Sequence, residues 1–486
     1  MHTSAVEGRS TLSHMLRVVI IALVIGNANF EFTLIGGAFT DIAAEFQTTQ
    51  VALVSTVVFV ASLVFLPIAG RMCDVYGKKR ILLAVAVVFA LGSILCALAP
   101  TYWLFLTGRV LQSTFVVAYV AGYGLVRDLL PARLVAMGVG VIGAGTGVAV
   151  LVGPLLGGWL IDSYGYRSAF WFELAYDIFA GLLVLFAIPE SSTRVKRRID
   201  VTGGLLLGVG VAAVVYGIVE PAALAWALPL GLVLLVSFAL LQRRSAEPIV
   251  STALLGRPVV WMTLVAGGFI IAAITAAPVL LSEIARIPFV PGIAEYGLGM
   301  SALTYGVVIG LPFGLVSAAA GLLAGWVCRR FAPRTALLLA GLVILVSVVL
   351  LLLVTGNVLV AATAAALQGA GVGFLYAAAN TLLIKGVPAA EQGISTSLLY
   401  TALGVMNAVG TAVVGTIIAA HAIPAPNGSA ELLVAESGFR IAFLVLAGSS
   451  LVGLGVALAM RHGRRPATGG LREQAPDEAE SVGSAV

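Results

Sequence analysis

Predominantly apolar runs of about 20 residues recur some fourteen times along this chain, centred near residues 26, 60, 90, 115, 147, 178, 210, 232, 270, 313, 345, 372, 405 and 450. At about 1.5 Å of rise per residue, each run as a helix spans the hydrocarbon of a bilayer. Only 10% of the 486 residues are charged, against about 25% in soluble domains. Too few charges are left over to coat a globule of this size. The chain therefore reads as an all-α integral membrane protein with a lipid bilayer as its solvent.

The connections test that count. Arg9 and Arg17 precede the first run, and Asp41 and Glu45, with no cation, follow it. Basic clusters then return at every second connection: Arg71 to Arg80, Arg127 to Arg133, Arg194 to Arg198, Arg243 to Arg257, Arg329 to Arg334, Lys385, and Arg461 to Arg465. With nearly every Lys/Arg cluster on one side, the pattern predicts cytoplasmic N- and C-termini. They also explain the net charge of +5 without nucleic acid as a partner. The stretch before Met15 is short and polar, and no small-residue cleavage site closes the first apolar run, which predicts an uncleaved first helix. Arginine exceeds lysine, and Ala, Gly, Val and Leu dominate, as in GC-rich bacteria. The expected location is a bacterial inner membrane.

A charged stretch repeats. Gly70-Arg71-Met72-Cys73-Asp74-Val75-Tyr76-Gly77-Lys78-Lys79-Arg80 is matched by Gly325-Trp326-Val327-Cys328-Arg329-Arg330-Phe331-Ala332-Pro333-Arg334. Nearly the same offset pairs Gln112 with Gln368, Pro131 with Pro388, and Gly153 with Gly410. The runs near 210 and 232 have no counterpart. The predicted organisation is an N-terminal tail (1–14), a six-helix bundle (15–188), two inserted helices with basic flanks (189–257), a second six-helix bundle (258–460) and a disordered tail (461–486). Two glycines in the 70–80 stretch predict a tight loop, and Asp74 inside a cationic run points to a cap or an ion pair. Asp128 is a candidate partner for Lys78 or Lys79.

These residues resemble the major facilitator superfamily, in particular its fourteen-helix drug:proton antiporter branch. Residues 70–80 are similar to the family's loop between helices two and three, with Val75 where arginine is frequent. Arg109-x-x-Gln112 resembles the fourth-helix motif, with Ser113 in place of glycine. Gly140, Ala149, Gly153, Pro154, Gly157 and Gly158 resemble the antiporter motif of the fifth helix, with alanine at one glycine position. Phe30-Glu31-Phe32-Thr33 resembles a first-helix motif whose acid is normally aspartate.

The resemblance implies two bundles that rock about a central cavity. It also implies a cytoplasmic latch built from Gly70, Asp74, Gly77, Lys78, Lys79, Arg80 and Asp128; the plainer reading is a solvated loop that enforces topology. The Gly-Pro-rich fifth helix is implied to bend at the contact between the bundles, although small residues also pack helices tightly without further meaning.

Acids at bilayer depth are functional candidates by default. Glu31 lies about seven residues, or roughly 10 Å, from the outer end of the first helix. Arg109, Gln112, Glu173 and Asp177 fall at similar depth. Together they form a candidate proton-coupling and substrate site with Glu31 as the main acid, tuned or released by Arg109. Glu173 and Asp177 also read as a wet helix end, and Asn27 and Asn29 as helix-packing amides.

The implied function is efflux of a hydrophobic or amphipathic small molecule (a drug, dye or natural product) in exchange for protons. The proton gradient is the energy source; no cofactor or metal is expected, and the monomer is expected to suffice. The alternatives are a proton-coupled transporter of one metabolite and a non-transporting membrane sensor. No zinc spacing, nucleophile–base pair or phosphate loop supports an enzyme.

Overall fold

Long apolar runs broken by Gly, Pro or short charged stretches leave the backbone one way to satisfy its amides in lipid, which is helix after helix. The computed structural model describes residues 2–190, 200–245, 252–289, 296–353, 356–387, 392–424 and 432–466. In the first half lie α1 (His2–Leu34), α2 (Leu53–Tyr76), α3 (Lys78–Leu98), α4, α5 (Ala132–Tyr164) and α6 (Arg167–Ala187). Helix α4 consists of Tyr102–Gln112 and Val116–Leu129 joined by the 3-10 turn Ser113–Phe115. The inserted pair is α7 (Val201–Val219) and α8 (Leu224–Arg244).

The second half holds α9 (Pro258–Arg286), α10, α11 (Pro333–Leu353), α12 (Val358–Gly386), α13 (Gln392–Ala420) and α14 (Glu436–Ala459). Helix α10 begins at Ala302–Tyr305, widens into a π turn over Gly306–Gly310 and continues as Leu311–Arg330. Twelve of the fourteen are long and apolar enough to cross a membrane by length and composition. Helices α2 and α5 supply the shorter apolar stretches Leu53–Leu66 and Val148–Tyr164. Each of the fourteen sequence runs coincides with one helix.

Three expectations change. The stretch 70–80 is not a loop, because α2 stays helical to Tyr76 and α3 restarts at Lys78. Only Gly77, at φ 99°, separates them. A left-handed φ ends a helix in one residue where glycine occupies it. Helix α1 begins at His2, so helix extends into the expected polar tail. The connection after α13, expected as bare loop between the runs near 405 and 450, contains the hairpin β1 (Ala422–Pro424) and β2 (Leu432–Val434), paired antiparallel from Ala422↔Val434, and α14 starts at Glu436.

The face bearing Gly77, Arg80 and Arg330 is called the basic face below. Described contacts between the halves run from the opposite face to mid-membrane. Thr56 of α2 donates to Thr411 of α13 at 2.9 Å. A Cβ on Gly415 would overlap Ala52, and one on Gly404 would crowd Leu63. Helix α7 lies along this seam. Leu207, Val211 and Val215 pack with Leu63 of α2 on one side and with Ala408 and Ala412 of α13 on the other. Gly208 lets α7 close on Val64, and Thr416 donates to the Ile218 carbonyl at 3.2 Å. Helix α8 packs outside α7 and presents Leu232, Val233, Val236 and Leu240 outward.

Candidate functional site

Glu31, Arg109, Gln112 and Glu173, drawn from α1, α4 and α6, meet in the interior of the first bundle, and all four are at 0% exposure. One Arg109 amine pairs with Glu31 and another donates to Gln112 Oε1 at 2.7 Å. Its Nε reaches the Val54 carbonyl at 3.3 Å, and its guanidinium carbon lies 5.9 Å from the centroid of Phe170. The planar fork of arginine suits such a divided task, because its donors point in several fixed directions. Gln112 extends the network, donating to Ser93 at 2.9 Å and to Glu173 Oε2 at 2.8 Å.

Asp177, one turn beyond Glu173 on α6, is placed apart. It accepts from Asn27 Nδ2 at 3.2 Å. Neither acid is wet, since Asp177 is 5% exposed. Asn29 donates to the Ile25 carbonyl at 3.1 Å and accepts from Tyr119 at the same distance.

The network is incompletely satisfied. Glu31 Oε2, Glu173 Oε1 and Asn27 Oδ1 are buried with no hydrogen-bond partner. Glu31 pairs with the guanidinium directly, and Glu173 reaches it through Gln112. An uncompensated buried charge costs several kcal/mol.

On the basic face Lys78 Nζ lies 2.7 Å from Asp128 Oδ2, with both side chains almost sealed. The sequence did not single out Glu190, just past α6. Its Oε1 accepts from the Lys79 backbone amide at 3.2 Å, and its Oε2 stands 3.8 Å from Arg80 Nε. An acid beside the free amides of a helix N-terminus is electrostatically favoured. Lys79 Nζ donates to the Leu185 carbonyl at 2.8 Å. Gly70, Asp74 and Gly140 fall on α2 and α5, but their surroundings lie outside the described residues, as do Arg194 to Arg198 altogether.

The antiporter-like glycines place α5 against two partners. A Cβ on Gly153 would overlap Thr33, and one on Gly157 the Leu34 carbonyl, so α5 and α1 touch backbone to backbone. On its other side Gly158 abuts Ala302 and Leu303, and Pro154 fits against Gly306 and Gly310. This second surface crosses to the other half.

The sequence matches the Major Facilitator Superfamily over residues 21–411 and again over 279–483. The chain belongs to the Major Facilitator Superfamily. This facilitator is a multi-pass membrane protein, with twelve described helices long and apolar enough to span a bilayer. It is 31% identical over 340 residues to an uncharacterized MFS-type transporter of Mycobacterium tuberculosis, covering 66% of this chain and 48% of that protein. The chain thus spans about half the length of that relative. It is 27% identical over 368 residues to the multidrug resistance protein Stp of the same species, covering 74% of this chain and 66% of Stp. A bacterial homolog of the human lysosomal transporter Spinster, solved inward-facing and occupied, shares the fold. Its TM-score is 0.63 at 15% identity, over 93% of this chain and 96% of that one.

Away from the basic face, the facilitator's halves are clasped by charge. Arg286, closing α9, pairs with Asp41, donates to Thr40 at 3.2 Å and stands 3.7 Å from Asp162. Asp162, ending α5, accepts from the first amides of α10, Ala302 N at 2.8 Å and Leu303 N at 2.7 Å. Arg286, with Arg167 and Arg440, is one of the few cations on the side away from the basic clusters.

Proposed function

We propose that this facilitator is a proton-coupled efflux antiporter. It exports hydrophobic or amphipathic small molecules by alternating access, acts as a monomer, and sits in a bacterial plasma membrane with its basic face toward the cytoplasm. The observation that carries this reading is the buried network of Glu31, Arg109, Gln112 and Glu173, with two carboxyls, one cation and two orphaned carboxyl oxygens. Relatives named as multidrug resistance proteins support the cargo class.

Coupling follows from where the network sits. A proton on Glu31 weakens its pairing to Arg109 and loosens α1 from α4. Thr33 and Leu34, half a turn to one turn further along α1, lie against Gly153 and Gly157 of α5. The next surface of α5, Pro154 and Gly158, bears on α10 across the seam. A change at Glu31 thereby reaches the contact between the halves through two tightly packed helix pairs. Glu31 is sealed, so its role in this conformation is to carry the proton, and cargo is held elsewhere.

The test is transport in inside-out vesicles with an imposed proton gradient. Glu31→Gln is expected to abolish substrate-induced proton release while the protein still folds. Proton release that survives the change removes Glu31 from the mechanism. No gradient-dependent flux across a broad compound panel favours the sensor reading instead.

A further inference from the structure

On the side away from the basic face, the clasp around Arg286 borders a cavity of about 170 Å³. That is well above the roughly 10–15 Å³ that admits a single water. Its walls come from both halves. The short helix Phe39–Phe46, which follows α1, supplies Thr40, Asp41 and Ala44. The end of α9 supplies Glu283 and Arg286, and Leu433 of β2 lies on the apolar side.

The buried network of the first bundle uses none of these groups, and Glu283 stands out among them. It is 5% exposed, yet among the described residues no hydrogen bond or ion pair reaches its carboxyl. Arg286 follows three residues later on α9 but is engaged elsewhere. It pairs with Asp41, donates to Thr40 at 3.2 Å and stands 3.7 Å from Asp162. A sheltered carboxyl that lines a cavity without a partner is an open position for a donor or a counter-charge.

The charge balance favours a cation. Asp41, Asp162 and Glu283 stand against the single guanidinium of Arg286. The connections bordering the site add no Lys or Arg: 35–52 carries Asp41 and Glu45, 287–301 carries Glu295, and 421–435 carries Glu431. A divalent metal ion fits poorly, because it seeks about six oxygen ligands and the guanidinium in the wall repels both of its charges. A quaternary ammonium has no N–H to give a carboxylate. A primary ammonium has three donors to divide among the oxygens of the wall, and a short alkyl tail finds Ala44, Ile287 and Leu433.

We propose that this cavity binds small primary ammonium ions, with Glu283 as their counter-charge, and that an occupant clamps the two halves together on this side. A ligand that touches both walls binds only while the walls face each other, so mass action stabilises that state. At ten times its Kd the ligand raises the ratio of closed to open molecules about elevenfold. The inference is independent of the cargo and of the proton coupling proposed above.

The experiment is a saturation-transfer NMR titration of the purified full chain in detergent with propylammonium. Propan-1-ol serves as the uncharged isostere and empty micelles as the blank. Saturable propylammonium binding with a Kd on the order of 1 mM is expected, with propan-1-ol about tenfold weaker or more. Glu283→Gln keeps the shape of the side chain, removes its charge and weakens propylammonium binding about tenfold or more. Ala44→Phe, at an exposed position on the cavity wall, fills the space without opening a core and has the same effect. Propylammonium also slows maleimide labelling of Ala302→Cys, a buried position beside Asp162, about threefold or more. Absent saturable binding, equal binding of propan-1-ol, or wild-type binding by either variant overturns the site. Binding that leaves the labelling rate unchanged overturns the clamp. If propylammonium binds and slows labelling although the chain shows no proton-driven flux, the clamp stands and the antiporter reading falls.

Discussion

Gly306 of α10 rests against the Pro154 carbonyl of α5, so closely that a single methyl group on Gly306 would overlap it. The two helices belong to different halves, and the contact lies at the π turn of α10. Gly306→Val is expected to push the halves apart on the side away from the basic face. Thiol labelling of Leu303→Cys from that side should rise several-fold, and transport should fall at least tenfold. Unchanged labelling in a folded variant removes this contact from the closing surface.

Arg286 ties α9 to Asp41 and Asp162 with its own side chain 9% exposed and Asp41 38% exposed. That half-sheltered position discounts the value of a buried pair. Arg286→Ala should shift the balance between closed and open states by about 1–2 kcal/mol, or about five- to thirtyfold. The shift is read as a change in spin-label distance between Thr40 and Leu303. A charge-neutral Arg286→Gln that behaves as wild type assigns the effect to packing, not to charge.

Glu31 and Arg109 form a sealed pair, so removing one partner strands the other. Arg109→Gln should lower stability by about 3–5 kcal/mol, and adding Glu31→Gln should restore most of that loss. Thermal unfolding of both single variants and the double variant measures the coupling. Additive losses mean the two side chains do not depend on each other.

Lys78 and Asp128 bind α3 to α4 at 5% and 7% side-chain exposure. Asp128→Ala leaves a sheltered ammonium short of an acid and should lower the melting temperature more than Lys78→Met/Asp128→Leu, which removes both charges. The reverse order excludes a stranded charge as the cause.

The helices were legible because each depends on a local property, a run of apolar residues long enough for lipid, and because basic connections counted them. The depth of Glu31, Arg109, Gln112 and Glu173 was legible for the same reason: position along a helix is distance across a membrane. Rotation about the helix axis was not. That rotation sends Asp177 to Asn27 and Glu173 to Gln112, although the two acids share one face of α6. Arg286, Asp41 and Asp162 lie far apart in sequence on three different elements, and no periodicity joins them. Gly77 was visible as a turn residue, yet only its φ shows that one residue suffices and that the charged stretch before it remains helical.

Helix α7 touches α2 on one flank and α13 on the other, with α8 behind it. Two bodies joined by such a wedge cannot tilt relative to each other unless the wedge slips along one flank or travels with the other. Either movement reshapes the outline that α8 shows to the surrounding acyl chains. Any such rearrangement of the halves would be partly work done on the solvent the molecule swims in, and chain length and lateral pressure of the lipids would enter its rate.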